Sequence, residues 1–432
     1  MVIYITGHRN PDADSICSAL AYANLKSIID PANDYIPVRC SKLSDGLKSL
    51  LEQLNIAVPQ YMRDVYPKIG DVMITTGLKM QADDSLTNYA SLYEEKNPPV
   101  VPVFENGEYF GLLSVDDVMD WSMKSLAAEG CICQIPTVRD LMRDSCATVR
   151  TTDLFEEAKI LLSASKKRGL AVVDESGRFA GYVTRRCFLN TPRYNVIMVD
   201  HNEATQSIRG IESANVVEVI DHHRLNALKT DLPLFIDAEP LGSTCTIVYQ
   251  LFQRNGIRPF GDIARILLTG ILADTLILKS PTTTRTDHES AAILSAICGL
   301  PIEEYGRQMF SHVEGLSTRK PEDAIKDDFK DYMENGVRFG IGQCEVTTLK
   351  DINQYAANYL KTLEDVRRQK GLDWALLMIT DVLKERSVLL STDYKSEAFL
   401  PYAALSRHLY DMPEVMSRKK QLLPEIIHTL NG

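Results

Sequence analysis

Four short stretches place imidazoles and carboxylates where an apolar run ends. The first is His8-Arg9-Asn10-Pro11-Asp12-Ala13-Asp14-Ser15, with one imidazole and two carboxylates close together. The second is Val199-Asp200-His201-Asn202, and the third Ile220-Asp221-His222-His223-Arg224. The fourth, Ala273-Asp274-Thr275, closes an apolar helix predicted from about Ile263. Nitrogen and oxygen donors without sulfur suit Mn²⁺, Co²⁺, Mg²⁺ or Zn²⁺. A carboxylate at the end of an apolar helix must be paired or coordinated, because burying it bare is costly. Adjacent histidines on a continuing strand point to opposite sides, so one can bind a cation while the other faces a ligand. Each stretch alone also has a plain structural reading. Asp12 and Ser15 suit a helix N-cap, Asp200 suits a cap at a strand end, and loop histidines can simply be solvated. The four together are harder to explain that way.

The elements that must position them are legible. Residues 2–6 are β-branched or aromatic and read as a buried strand, 7–14 as a polar loop, and 15–29 as a helix with apolar residues at helical spacing. Strand, polar turn, helix opens an α/β unit, whose ligands sit at the carboxyl end of the strand. Further strands are predicted at 196–200 and 216–221. Between these and the opening unit lies an internal repeat. Asp71-Val72-Met73 recurs as Asp140-Leu141-Met142. Val103-Phe104-Glu105-Asn106-Gly107 recurs as Val173-Asp174-Glu175-Ser176-Gly177, and Phe110-Gly111-Leu112-Leu113-Ser114 as Ala180-Gly181-Tyr182-Val183-Thr184. Each repeat reads as strand, helix, strand, Gly turn, strand, helix, and is small enough that the two should pack together. In the last third, 360–370 reads as a helix, 374–383 and 387–393 as paired strands, and 401–412 as another helix. A boundary is predicted at 305–320, where Gly315-Leu316-Ser317 precedes a charged stretch.

Composition narrows the function classes. The 432 residues give a prior of about three domains. Lys plus Arg number 47 against 58 Asp plus Glu, a formal net charge of −11, which disfavours a dedicated nucleic-acid binder. A small anionic substrate stays possible if positive charge is supplied locally. The nine cysteines are scattered, with only a lone Cys131/Cys133 CxC and no CxxC. They read as reduced thiols of a cytoplasmic protein. No apolar stretch is long enough to predict a membrane span, and the N-terminus lacks the pattern of a signal peptide.

Taken in order, GHRNPDADS, VDHNE, DHH and ADT resemble the motifs of the DHH phosphoesterase superfamily, and more narrowly those of the family II, manganese- or cobalt-dependent inorganic pyrophosphatases. Ser417-Arg418-Lys419-Lys420-Gln421 resembles the SRKKQ motif of a DHHA2 domain, and the repeat resembles a pair of CBS domains. The resemblance spans essentially the whole chain. It implies an α/β fold: a parallel-sheet DHH domain (1–65 and 191–308), interrupted by a CBS pair (66–190) and followed by an α/β DHHA2 domain (309–432). It implies hydrolysis of pyrophosphate to two phosphates by a metal-bridged hydroxide, with two Mn²⁺ or Co²⁺ and a further Mg²⁺ arriving with the substrate.

Position by position, the resemblance makes His8 and Asp12 ligands of one metal and Asp14, His222 and Asp274 ligands of the other, bridged by Asp200. It makes His223, Lys330, Arg418 and Lys419 the phosphate contacts, and Lys420 structural. A Ser/Thr-x-x-Asp pattern after the last strand of a CBS unit implies nucleotide binding. The first unit has it as Ser114-Val115-Asp116-Asp117, whereas the second has Thr184-Arg185-Arg186-Cys187, without the Asp. Ser114, Asp117, Arg168 and Thr184 are therefore the expected contacts to AMP, ADP or ATP acting as allosteric ligands. A homodimer or tetramer, without nucleic-acid or membrane partners, completes the expectation. The rivals are an exopolyphosphatase of the same domain composition, a DHH enzyme acting on oligonucleotides, and a catalytically idle adenylate sensor. No Gly-rich nucleic-acid motif supports the oligonucleotide reading, and six intact ligand positions argue against the idle sensor.

Overall fold

The computed structural model describes residues 1–431 except 76, 130–133, 143–147, 226–229, 231–232, 311–315, 317–319, 347, 383 and 385. Cys131, Cys133, Cys146, Gly315, Ser317 and Leu383 thus lie outside the described residues. The chain forms two compact units: Met1–Asp64 together with Asn195–Gly432, and Val65–Tyr194. Among the described residues no helix is long and apolar enough to cross a membrane.

The first unit carries a parallel sheet in the order Phe235–Ala238, Asn215–Asp221, Asn195–Val199, Val2–Thr6, Asp34–Arg39, Gln60–Tyr61. From Val2–Thr6 the chain builds outward on one side, leaves for residues 65–194, and returns to build outward on the other. The strand order therefore reverses between Val2–Thr6 and Asn195–Val199, where a parallel sheet opens a crevice at its carboxyl ends. Both faces are covered, so the central strands are apolar throughout, and Val196, Ile197, Met198 and Val199 are fully buried. Ile5, Ile16, Leu25, Phe252, Leu268 and Ile271 join this sheet to the helices Ala13–Ile29, Thr244–Arg254 and Gly261–Asp274 in one core.

The same unit contains a second, mixed sheet built from residues 329–413. Its central strand Trp374–Asp381 is buried on both faces. Trp374, Leu376 and Met378 enter one core, and Ala375, Leu377 and Ile379 the other, the two-residue period of a strand. It pairs antiparallel with Arg386–Ser391. The helix expected at 401–412 is not formed. Ala403–Ser406 and Leu409–Pro413 make a hairpin turning at His408 (φ +63°), and Leu409–Pro413 pairs with Arg386–Ser391. Satisfying the backbone groups of that open edge outweighs a weak helical periodicity.

In the second unit the repeat is two three-stranded sheets of the same pattern. Met80–Gln81 pairs parallel with Val101–Glu105, which pairs antiparallel with Glu108–Leu113. Thr148–Arg150, Gly169–Val173 and Phe179–Thr184 repeat this. Gly107 (φ +87°) and Gly177 (φ +82°) make the two turns, in a region that favours glycine. The closing helix is formed only in the first repeat, as Val115–Glu129. The second ends in the short 3₁₀ turn Arg185–Phe188, correcting the expectation of two equal repeats.

Candidate active site

The loop after Val2–Thr6 delivers the first ligand-type groups. Gly7 lies so close to the helix start that a Cβ there would sit 1.8 Å from Ser15 Oγ. That approach lets the His8 N–H donate to Ser15 Oγ at 3.2 Å. Asp12 is the N-cap of Ala13–Ile29, with Oδ1 accepting from the Ser15 N–H at 2.9 Å. Its other oxygen, Oδ2, lies 3.4 Å from His8 Nε2. One carboxylate thus serves both readings of this stretch, capping the helix with one oxygen and presenting the other to the imidazole.

Asp200 follows Val199 at the neighbouring strand end. It sits in the left-handed region (φ +61°), which Asp tolerates better than most residues and which turns its side chain into the crevice. Its two oxygens face different partners. Oδ2 lies 3.3 Å from His8 Nε2, and Oδ1 lies 3.5 Å from His222 Nε2. The side chain is 2% exposed, yet Oδ2 has no hydrogen-bond partner, an exception in a buried carboxylate.

The strand Asn215–Asp221 stops just before the two histidines, so strand alternation does not set them apart: their ring centroids lie 4.3 Å from each other, the rings nearly perpendicular, and different partners orient them. His222 Nδ1 donates to the Leu241 carbonyl at 2.9 Å, which turns Nε2 toward the carboxylates, 3.3 Å from Asp274 Oδ2. His223 Nδ1 instead donates to Asp221 Oδ1 at 2.9 Å, which leaves its Nε2 for another group. Asp221 also binds Asn202 Nδ2 and the His223 N–H, so the first residue of the DHH motif orients the third. Asp14, fully buried, is met by Ser243 Oγ (2.6 Å), Thr244 N (2.7 Å) and Cys245 N (3.0 Å) at the start of Thr244–Arg254.

Ligand-type atoms therefore converge in overlapping groups: His8, Asp12 and Asp200; Asp14, His222 and Asp274; and Asp200, His222 and His223. Electrostatics agree with the geometry. Burial, then the charges of Asp12 and Asp14, push the Asp200 carboxyl up to about 8. Asp274 is raised well above the usual range by burial and the same neighbours, and Asp14 is raised as well, mainly by burial. Three carboxylates that resist ionisation together become stable anions only beside added positive charge. The donors are nitrogen and oxygen, several with their orientation fixed by a second hydrogen bond, and one buried oxygen is unsatisfied. These donors thus fit divalent cations.

Lys330 stands on the strand Phe329–Glu334 and Lys419 in the Arg418–Leu422 turn, and the charges of both bear on Asp274. Crowding and the like charge of Lys330 depress the Lys419 ammonium. Arg418 is placed differently. It is buried, with Nη1 donating to the Asp328 carbonyl (2.6 Å) and Nη2 to Asp328 Oδ1 (2.9 Å). Lys420 Nζ donates to the Pro281 carbonyl at 3.3 Å, a link within the fold.

The unit Val65–Tyr194 contains a cavity of about 380 Å³, lined by Pro99, Asp116, Lys166, Arg168, Thr184, Arg185 and Arg186. Of the four residues expected to contact nucleotide, Arg168 and Thr184 line this cavity, whereas Ser114 and Asp117 are not among its lining residues. Ser114 and Asp117 bond to each other, with the Ser114 N–H and Oγ donating to Asp117 Oδ2 at the helix start. In the second repeat Cys187 Sγ takes the corresponding place beside the Thr184 N–H (3.4 Å). Arg168 forks onto Asp116 at 2.6 and 2.8 Å.

Residues 2–271 match the family model for the DHH family, N-terminal domain, and residues 307–429 match the DHHA2 domain. The chain belongs to the DHH family. Within it, the chain is 28% identical to the cobalt-dependent inorganic pyrophosphatase of Clostridium perfringens, across 98% of both chains. It is 34% identical to the manganese-dependent inorganic pyrophosphatase of Methanothrix thermoacetophila over 54% of this chain and 76% of that one. This makes it a DHH protein of the family II inorganic pyrophosphatase group. A solved Methanococcus jannaschii structure described as a family II inorganic pyrophosphatase covers all of both chains, with a TM-score of 0.59 at 24% identity, and shares the fold.

Sequence reading passed over Ser243, Thr244 and Cys245. Their signal is the Gly242-Ser243-Thr244 start of a helix, which looks like an ordinary N-cap. Only the fold shows that the donors at that helix start point at Asp14.

Proposed function

We propose that this family II inorganic pyrophosphatase splits pyrophosphate into two phosphates on two divalent cations, Mn²⁺ or Co²⁺, and that adenine nucleotides regulate it. The observation that carries the catalytic part is Asp200, whose two buried oxygens face two ligand groups drawn from separate stretches of the chain. On this reading His8 and Asp12 hold one cation, Asp14, His222 and Asp274 the other, and Asp200 joins them. When bound, the cations supply Lewis acidity, lowering the pKa of a water toward ~7 and neutralising part of the substrate's charge.

The chain's own groups do the rest. Burial, only partly opposed by Asp221, holds His223 down to about 4, so it is neutral before substrate arrives. With Nδ1–H fixed on Asp221, its Nε2 lone pair is left to accept a hydrogen bond from a protonated phosphate oxygen or a water. Lys330 and Lys419 offer point charges to the phosphates, which a loose phosphoryl transition state exploits. Arg418 can add its Nη groups to that grip by exchanging their Asp328 contacts. A further Mg²⁺ entering with the substrate belongs to the same reading.

The deciding assay is phosphate release by the Mn²⁺- or Co²⁺-loaded protein from pyrophosphate, tripolyphosphate and long polyphosphate. Pyrophosphate is expected to be cleaved best. A clear preference for longer chains would establish the exopolyphosphatase reading instead.

For regulation, the cavity between the CBS repeats gathers Lys166, Arg168, Arg185 and Arg186, positive charge suited to a phosphate chain. The Arg168–Asp116 pair is half-exposed and worth at most about 1 kcal/mol, so a phosphate can displace Asp116. Arg168→Ala is expected to weaken AMP or ADP binding by roughly ten-fold in calorimetry, the effect of one charge-assisted contact. Unchanged affinity would remove Arg168 from the site. The exposed edge strand Phe235–Ala238, with Phe235 and Ile236 half open to solvent, supports the homodimer part of the reading.

A further inference from the structure

Asp287 belongs to none of the four motif stretches, yet it is fully buried at the first turn of Arg285–Cys298. Its carboxylate accepts from four donors. Oδ2 takes the Gly242 N–H at 2.9 Å and the Thr284 N–H and Oγ1, both at 2.7 Å, and Oδ1 takes Thr246 Oγ1 at 2.6 Å. Thr284 ties it to its own helix as a capping box. The other two donors bracket the segment 243–245.

That bracketed segment and its neighbour Leu241 orient three of the six proposed ligands. The Leu241 carbonyl fixes His222, Ser243 to Cys245 fix Asp14, and Thr244 Oγ1 donates to Asp200 Oδ1 at 3.0 Å. Close packing makes the bracket rigid. A Cβ on Gly242 would lie 2.7 Å from both Asp287 Oδ2 and Thr275 Cγ2, and Thr275 directly follows Asp274. One buried carboxylate therefore sets the position of the short segment on which both proposed cation groups depend.

We propose that Asp287 is a positioning residue of the metal centre, one layer behind the groups that hold the ligands. The proposal rests on the two-cation reading above. Groups in such outer layers typically change metal affinity by ~10–100-fold when removed, because the ligands lose their preset orientation.

The test is Mn²⁺ titration by calorimetry on the full-length wild type, Asp287→Ala and Thr246→Val, with folding checked by circular dichroism. Asp287→Ala is expected to weaken Mn²⁺ binding by ~10–100-fold, and Thr246→Val, which removes one donor of four, by several-fold. Phosphate release should recover in both variants when Mn²⁺ is raised to saturation, splitting metal affinity from turnover. If Asp287→Ala does not fold, Thr246→Val alone decides. Variants that melt at lower temperature but bind Mn²⁺ within two-fold of wild type would overturn the proposal and leave Asp287 a purely structural residue. A wild type that binds no Mn²⁺ would instead overturn the two-cation reading itself.

Discussion

Asp200→Asn is expected to cut phosphate release from pyrophosphate by at least ~10³-fold, which corresponds to about 4 kcal/mol of transition-state stabilisation. The size follows from position. Asp200 is the group that faces both ligand clusters, with Oδ2 toward His8 and Oδ1 toward His222. Asparagine keeps the shape and tolerates the left-handed backbone at this position. It replaces one oxygen with an amide that cannot ligate, and removes the negative charge that would join two cations. The fold should survive, because burial opposes ionisation of Asp200 in the metal-free protein. Steady-state assays at saturating Mn²⁺, with a thermal melt on the same sample, separate the two effects. A folded Asp200→Asn protein retaining more than a tenth of wild-type turnover would show that the centre does not depend on a bridging carboxylate.

Stripping divalent cations with a chelator is expected to abolish activity, with recovery on adding Mn²⁺ or Co²⁺ but not on adding monovalent salt. The pH dependence of this effect follows from the same buried carboxylates. In the unfolded chain Asp200 titrates near ~4. In the metal-free fold it is raised to about 8, by burial first and then by Asp12 and Asp14. A raised carboxyl contributes stability that is fully present below the unfolded value and is lost as pH rises through the folded one. The metal-free protein should therefore melt at progressively lower temperature between about pH 5 and pH 9. Cations bind the ionised form and displace protons, so their stabilisation should grow over the same interval. Thermal melts at pH 6 and pH 8.5, with and without Mn²⁺, measure this directly. An Mn²⁺ effect as large at pH 6 as at pH 8.5 would contradict the role given to these carboxylates.

Several features were readable because local chemistry alone fixes them. The strand Val2–Thr6, the polar loop and the helix behind it follow from β-branched residues, a capping Asp and helical spacing. The two repeats showed themselves through turn glycines at matching places. The 401–412 segment was misread because its neighbours, not its own preferences, decide its state. The edge of Arg386–Ser391 draws it into a hairpin. The unequal end of the second repeat is subtler, since its sequence still allows the helix that the fold replaces with a 3₁₀ turn.

The sequence by itself determined which residue types could bind cations and phosphate, because imidazoles, carboxylates and basic groups are chemical facts of the chain. Only the tertiary structure decided what each atom can do. It turned the two oxygens of Asp200 to different partners, gave His222 and His223 separate anchors in the Leu241 carbonyl and Asp221, and locked Arg418 onto Asp328. It also set Asp287 behind the whole centre. The physical reason is that a hydrogen bond is decided within a few tenths of an ångström. Groups far apart in sequence reach that proximity only when the sheet has reversed its order and the helices have packed onto it.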